Sequence, residues 1–123
     1  MNIYDEIDQF TQKLSSSPEC ARFKAAQQKI DADPEMKEKV EAYMREQAMT
    51  QARQAMGMPL SQEEIEHFNQ KTREMLSIPE IAEFFQAQML VLPILKTLAE
   101  RTANAVGFDS SVLNGVLGNF TGA

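Results

Sequence analysis

The sequence predicts an all-α protein, an antiparallel helical bundle that contains two long helices. Apolar residues recur at spacings of three and four along nearly the whole chain, which is the spacing of one helix face. Ser or Asp followed by Pro or Glu marks several helix starts, and no segment shows the alternation of a strand. The 123 residues, 43 % hydrophobic and 24 % charged, fit an ordinary globular domain.

Two short helices are predicted first. The first has an apolar stripe at four- and three-residue spacing, with Asn2 as its cap: Ile3, Ile7, Phe10 and Leu14. The second begins at Pro18, because proline at the first helical position gives up only an amide that has no helical partner. Its expected inward stripe comprises Cys20, Phe23, Gln27 and Ile30.

The next two helices have clear end signals. Asp33 is expected to cap a helix that runs from residue 34 to about residue 56, where Gly57 supplies a left-handed stop. Ser61 and Glu64 have the spacing of a capping box, which predicts the start of a fourth helix.

The last long helix is predicted to end near Gly107. Ser77 and Glu80 are again spaced as a capping box around Pro79. We therefore expect a helical domain over residues 1–107 and a tail over 108–123. Asp109 would cap a short helix in that tail.

Residues 89–95 of this helix are seven consecutive apolar residues, so the helix is apolar around its circumference there. Seven is far below the roughly 20 residues that span a bilayer, which predicts no membrane insertion. Burial on both sides is the remaining explanation, by the bundle on one side and by a second subunit on the other. Pro93 is expected to kink the helix within this segment.

Two interaction surfaces follow from these patterns. The chain is expected to form a homodimer through the 84–99 region, with these contact residues: Phe84, Phe85, Gln88, Val91, Leu92, Leu95 and Leu98. Methionine side chains adapt to varied partners, so a partner surface is predicted near Gly57, at Met49, Met56 and Met58. Ordinary core filling also explains these methionines.

Composition excludes several classes of function. The net charge of −6 and the pI near 4.8 argue against direct nucleic-acid binding. One cysteine forms no internal disulfide, which favours a reducing compartment, and the N-terminal residues lack the pattern of a secretion signal. No catalytic, cofactor or metal constellation is recognisable, so we expect a protein that is not an enzyme.

Two side-chain groups leave alternatives open. Glu64 and His67 have the Glu-x-x-His spacing of di-iron bundles, although a solvated helix face in which His67 pairs with Glu63 explains them as well. Cys20 is expected to be a small core residue. A metal- or ligand-binding bundle and a small holdase-like chaperone remain the alternative functions.

The order of the helix signals resembles the YlbF/YmcA family of small helical bacterial proteins. The resemblance covers residues 3–107 and rests on the segments 17–19 (Ser-Pro-Glu), 30–35 (Ile-Asp-Ala-Asp-Pro-Glu), 78–84 (Ile-Pro-Glu-Ile-Ala-Glu-Phe) and 87–89 (Ala-Gln-Met). It implies a cytoplasmic regulatory protein that works by forming homo- or hetero-oligomers.

The best-studied members of that family influence competence, sporulation and biofilm formation, in a complex that acts with a membrane-associated endoribonuclease in mRNA processing. Related helical proteins and such an endoribonuclease are therefore the expected partners. Some members carry tail cysteines associated with an iron–sulfur cluster. The tail over 108–123 has no cysteine here, so no cofactor is expected.

Overall fold

A computed structural model describes residues 2–108. These residues contain five α-helices and no strand, which confirms the all-α prediction: α1 (Ile3–Ser15), α2 (Pro18–Asp31), α3 (Pro34–Ala55), α4 (Gln62–Leu76) and α5 (Pro79–Val106). The two long helices, α3 and α5, have 22 and 28 residues, or roughly 33 and 42 Å. The predicted tail helix lies outside the described residues.

Local capping fixes most helix starts where the sequence predicts them. Asn2 and Ser17 accept the backbone N–H three residues on, from Asp5 and Cys20. The Asp33 carboxylate accepts from two amides in the first turn of α3. These bonds satisfy backbone donors that the helix itself leaves unpaired, so the chain enters each helix at a defined residue.

The predicted capping box at Ser77 is wrong. Ser77 ends α4, and its hydroxyl donates to the carbonyl oxygen of Glu74 at 2.6 Å. The first amides of α5, from Ile81 and Ala82, donate to the carbonyl of Ile78. Because Ser77 has helical backbone angles, its side chain folds back onto α4. Pro79 is the first residue of α5, as predicted.

Glycines end both long helices. Gly57 has a φ of 74° and Gly107 a φ of 95°, the left-handed conformation that glycine adopts without strain. After α3, the Met58 amide donates to the Arg53 carbonyl at 2.9 Å and the Gly57 amide to the Gln54 carbonyl at 3.1 Å. This is the Schellman arrangement, and it turns the chain sharply toward α4.

The first compact unit ends at Gln88 and holds a small core. The buried residues of this core come from α2, α3, α4 and the start of α5: Ala26, Ile30, Val40, Tyr43, Met75, Ile81, Phe84 and Ala87. Gln27 was expected to face inward but is exposed, and Ala26 lies in its place. Spacings of three and four connect Phe23 to Ile30 through either position, and the apolar one is buried.

The second compact unit begins at residue 89, within α5. Its described part is the rest of α5, which continues as a helix through Pro93, and the two residues that follow. The kink at Pro93 and the division into a domain over 1–107 and a tail over 108–123 stay predictions.

Candidate interaction surfaces

The part of α5 in the second unit exposes a series of apolar side chains. Between 38 % and 70 % of each is accessible to solvent: Met89, Leu90, Leu92, Leu95 and Leu98, with Val106 near the helix end at 64 %. Met89, Leu92, Leu95 and Leu98 follow one another at three-residue spacing and form an apolar row, whereas Leu90 lies on another side of the helix. Isolated apolar residues are common on protein surfaces, but such a row marks an interaction site. Leu92, Leu95 and Leu98 of the predicted dimer surface belong to this row.

The remaining residues of the predicted dimer surface are less accessible. Phe84 is only 6 % exposed and contacts Phe23 with ring centroids 5.4 Å apart, so it is a core residue of the single chain. The burial of Phe84 within the single chain differs from its predicted position on an oligomer surface. Phe85 is half-buried against Tyr43, at 5.6 Å between ring centroids. Gln88 and Val91 are half-buried as well.

The methionines predicted as a partner surface are all exposed. Met56 and Met58 flank Gly57 at the tip of the α3–α4 connection, with 74 % and 50 % of their surface accessible, and Met49 is 67 % exposed. The Schellman turn holds the backbone at this tip in one conformation, whereas the side chains stay free to adapt. We name Met49, Met56 and Met58 the methionine tip.

An open cleft of about 310 Å³ lies beside the methionine tip, between α3 and α4. Met49 lines it together with charged side chains, among them Arg53, Glu64 and His67. The Arg53 guanidinium donates to the Glu64 carboxylate, which also accepts the Ser61 amide at 3.1 Å in the predicted capping box. The capping box is thereby confirmed.

Arg53 and the capping box also change the protonation of Glu64. Hydrogen bonds from the Arg53 side chain first, and then from the Ser61 backbone, lower the pKa of Glu64 from 4.5 to about 2. A carboxylate that is ionised and already bonded to a guanidinium is a poor metal ligand unless the pair breaks.

His67 has a different neighbour from the expected Glu63. Its Nε2 lies 3.8 Å from Glu46 Oε1, and Lys71 Nζ lies 3.3 Å from the other oxygen of Glu46. Glu46 and His67 form a charged, solvent-accessible edge of the cleft. No cluster of three or more possible metal-ligating residues occurs among residues 2–108.

Cys20 lies in the first turn of α2 and is half-buried, with its amide donating to the Ser17 hydroxyl at 3.3 Å. It is not among the core residues of the first unit, whereas Ala26, six residues further on, belongs to that core. The expectation that Cys20 fills the core is therefore met only in part.

One polar cluster was not anticipated. Arg22 in α2 forms a two-pronged ion pair with Glu83 in α5, with N···O distances of 2.7 and 2.6 Å, and also donates to Gln86 at 3.3 Å. The hydrogen bonds from Arg22 lower the pKa of Glu83. The partners are 61 and 64 residues apart in sequence, and no local pattern indicates such a pair.

Comparison with known protein families assigns the chain. A family model described as "Control of competence regulator ComK, YlbF/YmcA" matches residues 3–106, almost all of the described part. The chain belongs to the YlbF/YmcA family. The resemblance drawn from the helix signals is confirmed, and with it a regulatory family.

Two curated relatives of this YlbF/YmcA protein carry the name UPF0342 protein. The one from Caldicellulosiruptor saccharolyticus is 27 % identical over 105 residues, which cover 85 % of this chain and 88 % of the relative. The one from Caldicellulosiruptor bescii is 24 % identical over 111 residues, with 90 % and 93 % covered. No solved structure matches the chain significantly.

One further property of α5 concerns membranes. Among the described helices, α5 is long and apolar enough to cross a bilayer by length and composition, and 17 % of its most apolar window is buried in the single chain. Core helices of soluble proteins have the same length and composition, so these properties do not assign a membrane span. The 17 % figure does show that most residues of this window are not buried within the single chain.

Proposed function

We propose that this YlbF/YmcA protein is a cytoplasmic, non-enzymatic regulator that acts by associating with a second copy of itself through α5. The observation that carries the proposal is the exposed apolar row of α5, in which Leu92, Leu95 and Leu98 are 49 %, 45 % and 38 % accessible. Apolar surface in water costs about 25 cal/mol per Å², so a partner that covers this row is strongly favoured.

The charges of α5 favour a protein partner over a lipid bilayer. Glu83 and Lys96 bound the charge-free stretch of the helix, residues 84–95, and Glu100 and Arg101 follow. These 12 residues measure roughly 18 Å at 1.5 Å per residue, against a hydrocarbon core of roughly 30 Å. A charged residue near the bilayer centre costs about 3 kcal/mol or more. A second copy covers the apolar row while these charges stay in water.

Family membership supports a finer function. The family description names control of a competence regulator. We propose that the α5 dimer joins related helical proteins and an endoribonuclease in a complex that affects mRNA processing. The methionine tip is the proposed contact for those partners, because it lies apart from the α5 row in sequence and exposes adaptable side chains.

The self-association is tested by a charge placed in the apolar row. Leu95→Asp would bury an unpaired carboxylate in the interface, which costs several kcal/mol, and we expect the variant to be monomeric. Thr97→Asp adds the same charge to an exposed position outside the row and serves as the matched control. Size-exclusion chromatography with light scattering measures the mass. An unchanged mass for Leu95→Asp, with a helical circular dichroism spectrum, would contradict the α5 interface.

The finer function is tested by affinity capture from the native cell. We expect the wild-type chain to enrich an endoribonuclease and related helical proteins, and a variant with Met56→Ser and Met58→Ser to lose them while remaining dimeric. Recovery of copies of the chain alone would leave the α5 dimer intact as an assembly and refute the role in mRNA processing.

A further inference from the structure

α1 is an amphipathic helix whose apolar side the single chain covers only at Leu14, which is half-buried. Ile3, Ile7 and Phe10 are 62 %, 48 % and 41 % exposed, and α1 has no buried residue. An isolated helix of 13 residues is marginally stable in water, because nucleation is costly and packing supplies most helix stability in proteins. A cover from outside the single chain over Ile3, Ile7 and Phe10 would therefore stabilise α1.

One set of α5 positions, which includes Leu95 and Leu98 of the apolar row, the half-buried Val91 and the polar Thr102, has the same spacing as this stripe. Both follow intervals of four, three and four residues, which is the repeat of a two-helix seam: Ile3, Ile7, Phe10 and Leu14 in α1, and Val91, Leu95, Leu98 and Thr102 in α5. Each set spans 11 residue steps, roughly 17 Å along the helix axis. The two surfaces thus match in length and in period.

The charge of Glu6 beside the stripe of α1 is opposite to that of Arg101 in α5. The charged residues beside the stripe of α1 are Glu6 and Lys13, and the one beside residues 91–102 of the α5 seam is Arg101. α1 as a whole carries Asp5, Glu6 and Asp8 against Lys13, so its net charge is negative and anionic lipid repels it, whereas helices that lie on membranes are rich in basic residues.

We propose that α1 of one copy packs antiparallel on residues 91–102 of α5 in a second copy, and that the second copy returns the same contact. This inference rests on the self-association proposed above and names what covers α5. Two equivalent contacts close a twofold dimer. The antiparallel direction places these residues opposite each other: Ile3 and Thr102, Ile7 and Leu98, Phe10 and Leu95, Leu14 and Val91.

The antiparallel direction also places the charged residues favourably. Glu6 precedes Ile7, and Arg101 follows Leu98, so the two charges lie on the same side of the seam. In the parallel direction Glu6 would instead flank the uncharged Leu92 and Ala99. The helix dipoles likewise favour antiparallel neighbours.

Cross-linking tests the contact directly. In a Cys20→Ala background, full-length chains with Ile7→Cys are mixed with chains that carry Leu98→Cys, left to exchange subunits, and oxidised mildly with glutathione disulfide. We expect the mixed disulfide between the two kinds of chain to dominate, and the control pair Gln12→Cys with Thr97→Cys to give at least tenfold less. Disulfides only between identical chains, or a disulfide within one chain that carries both Ile7→Cys and Leu98→Cys, would overturn the proposal.

A charged substitution separates this inference from the proposed function. We expect Ile7→Asp to weaken the dimer at least a hundredfold in sedimentation velocity, and Gln12→Asp on the opposite face of α1 to leave it unchanged. If Leu95→Asp dissociates the dimer and Ile7→Asp does not, self-association stands and the cover by α1 is refuted. A monomeric wild-type chain refutes both.

Exchanging the charges of Glu6 and Arg101 gives a further test of the contact. Glu6→Lys is expected to weaken the dimer severalfold, and adding Arg101→Glu to restore it, because the exchange rebuilds the pair with opposite signs. If the effects of Glu6→Lys and Arg101→Glu on dimer affinity simply add in the double variant, the antiparallel direction is refuted.

Discussion

Ile81 is the best-buried large side chain of the first unit, with 0 % exposure, and its truncation has a calculable cost. Ile81→Ala removes three carbon atoms from the core, which is about 2.4 kcal/mol of transfer free energy at about 0.8 kcal/mol each. The cavity adds to this, since the neighbours relax only partially, and measured values for such truncations are about 2–5 kcal/mol. We expect the free energy of unfolding to fall by about 3 kcal/mol.

The assay is urea unfolding followed by circular dichroism at a fixed protein concentration, because self-association makes apparent stability depend on concentration. Leu76→Ala is the matched control. Leu76 is 49 % exposed in the same unit, so its truncation is expected to cost about 1 kcal/mol. Equal losses for the two variants, or a loss below about 1 kcal/mol for Ile81→Ala, would refute the assignment of this core.

Three other residues give independent predictions. Gly57→Ala is expected to lower the free energy of unfolding by about 1 kcal/mol in urea unfolding, because its φ of 74° strains any L side chain, whereas Gly57→Asn costs less. The depressed pKa of Glu64 stabilises the fold above pH 4.5, and this contribution is lost as the pH falls from 4.5 through about 2. NMR titration of Arg53→Ala should show the Glu64 pKa moving back toward 4.5, and an unchanged value would contradict the ion pair. Tyr43→Phe removes the 2.9 Å hydrogen bond to Thr72 and should cost about 1 kcal/mol in urea unfolding, while a neutral effect would show that the bond is not formed.

Helix positions were predictable from the sequence because their signals are local. The caps at Asn2, Ser17 and Asp33 and the stop at Gly57 act on residues within one turn of themselves. Ser77 was misassigned for a physical reason. It lies in the short connection between α4 and α5, where the same hydroxyl can serve the end of one helix or the start of the next.

Which side chains of α5 are buried and which are exposed was predictable only in part. The run over residues 89–95 indicated that α5 needs cover on more than one side, and the structure leaves Leu92 and Leu95 exposed. Which aromatic side chain is buried in the core depends on neighbours that are distant in sequence. Phe84 is buried because Phe23, 61 residues earlier, lies against it, and no periodicity reveals that contact.

The stripe of α1 illustrates the same limit. Its spacing predicts a helix with one apolar face, and α1 has both properties. The sequence does not tell whether the same chain covers that face. Only the structure shows Ile3 and Ile7 exposed, and this exposure is the basis for assigning α1 to a second copy.

The molar mass of the unmodified chain tests the association most directly. Light scattering after size-exclusion chromatography at tens of micromolar should give about 28 kDa, twice the 13.9 kDa of one chain. The mass should fall toward 13.9 kDa in Leu95→Asp and stay near 28 kDa in Thr97→Asp. A wild-type mass of 13.9 kDa at these concentrations would contradict a regulator that works by self-association through α5.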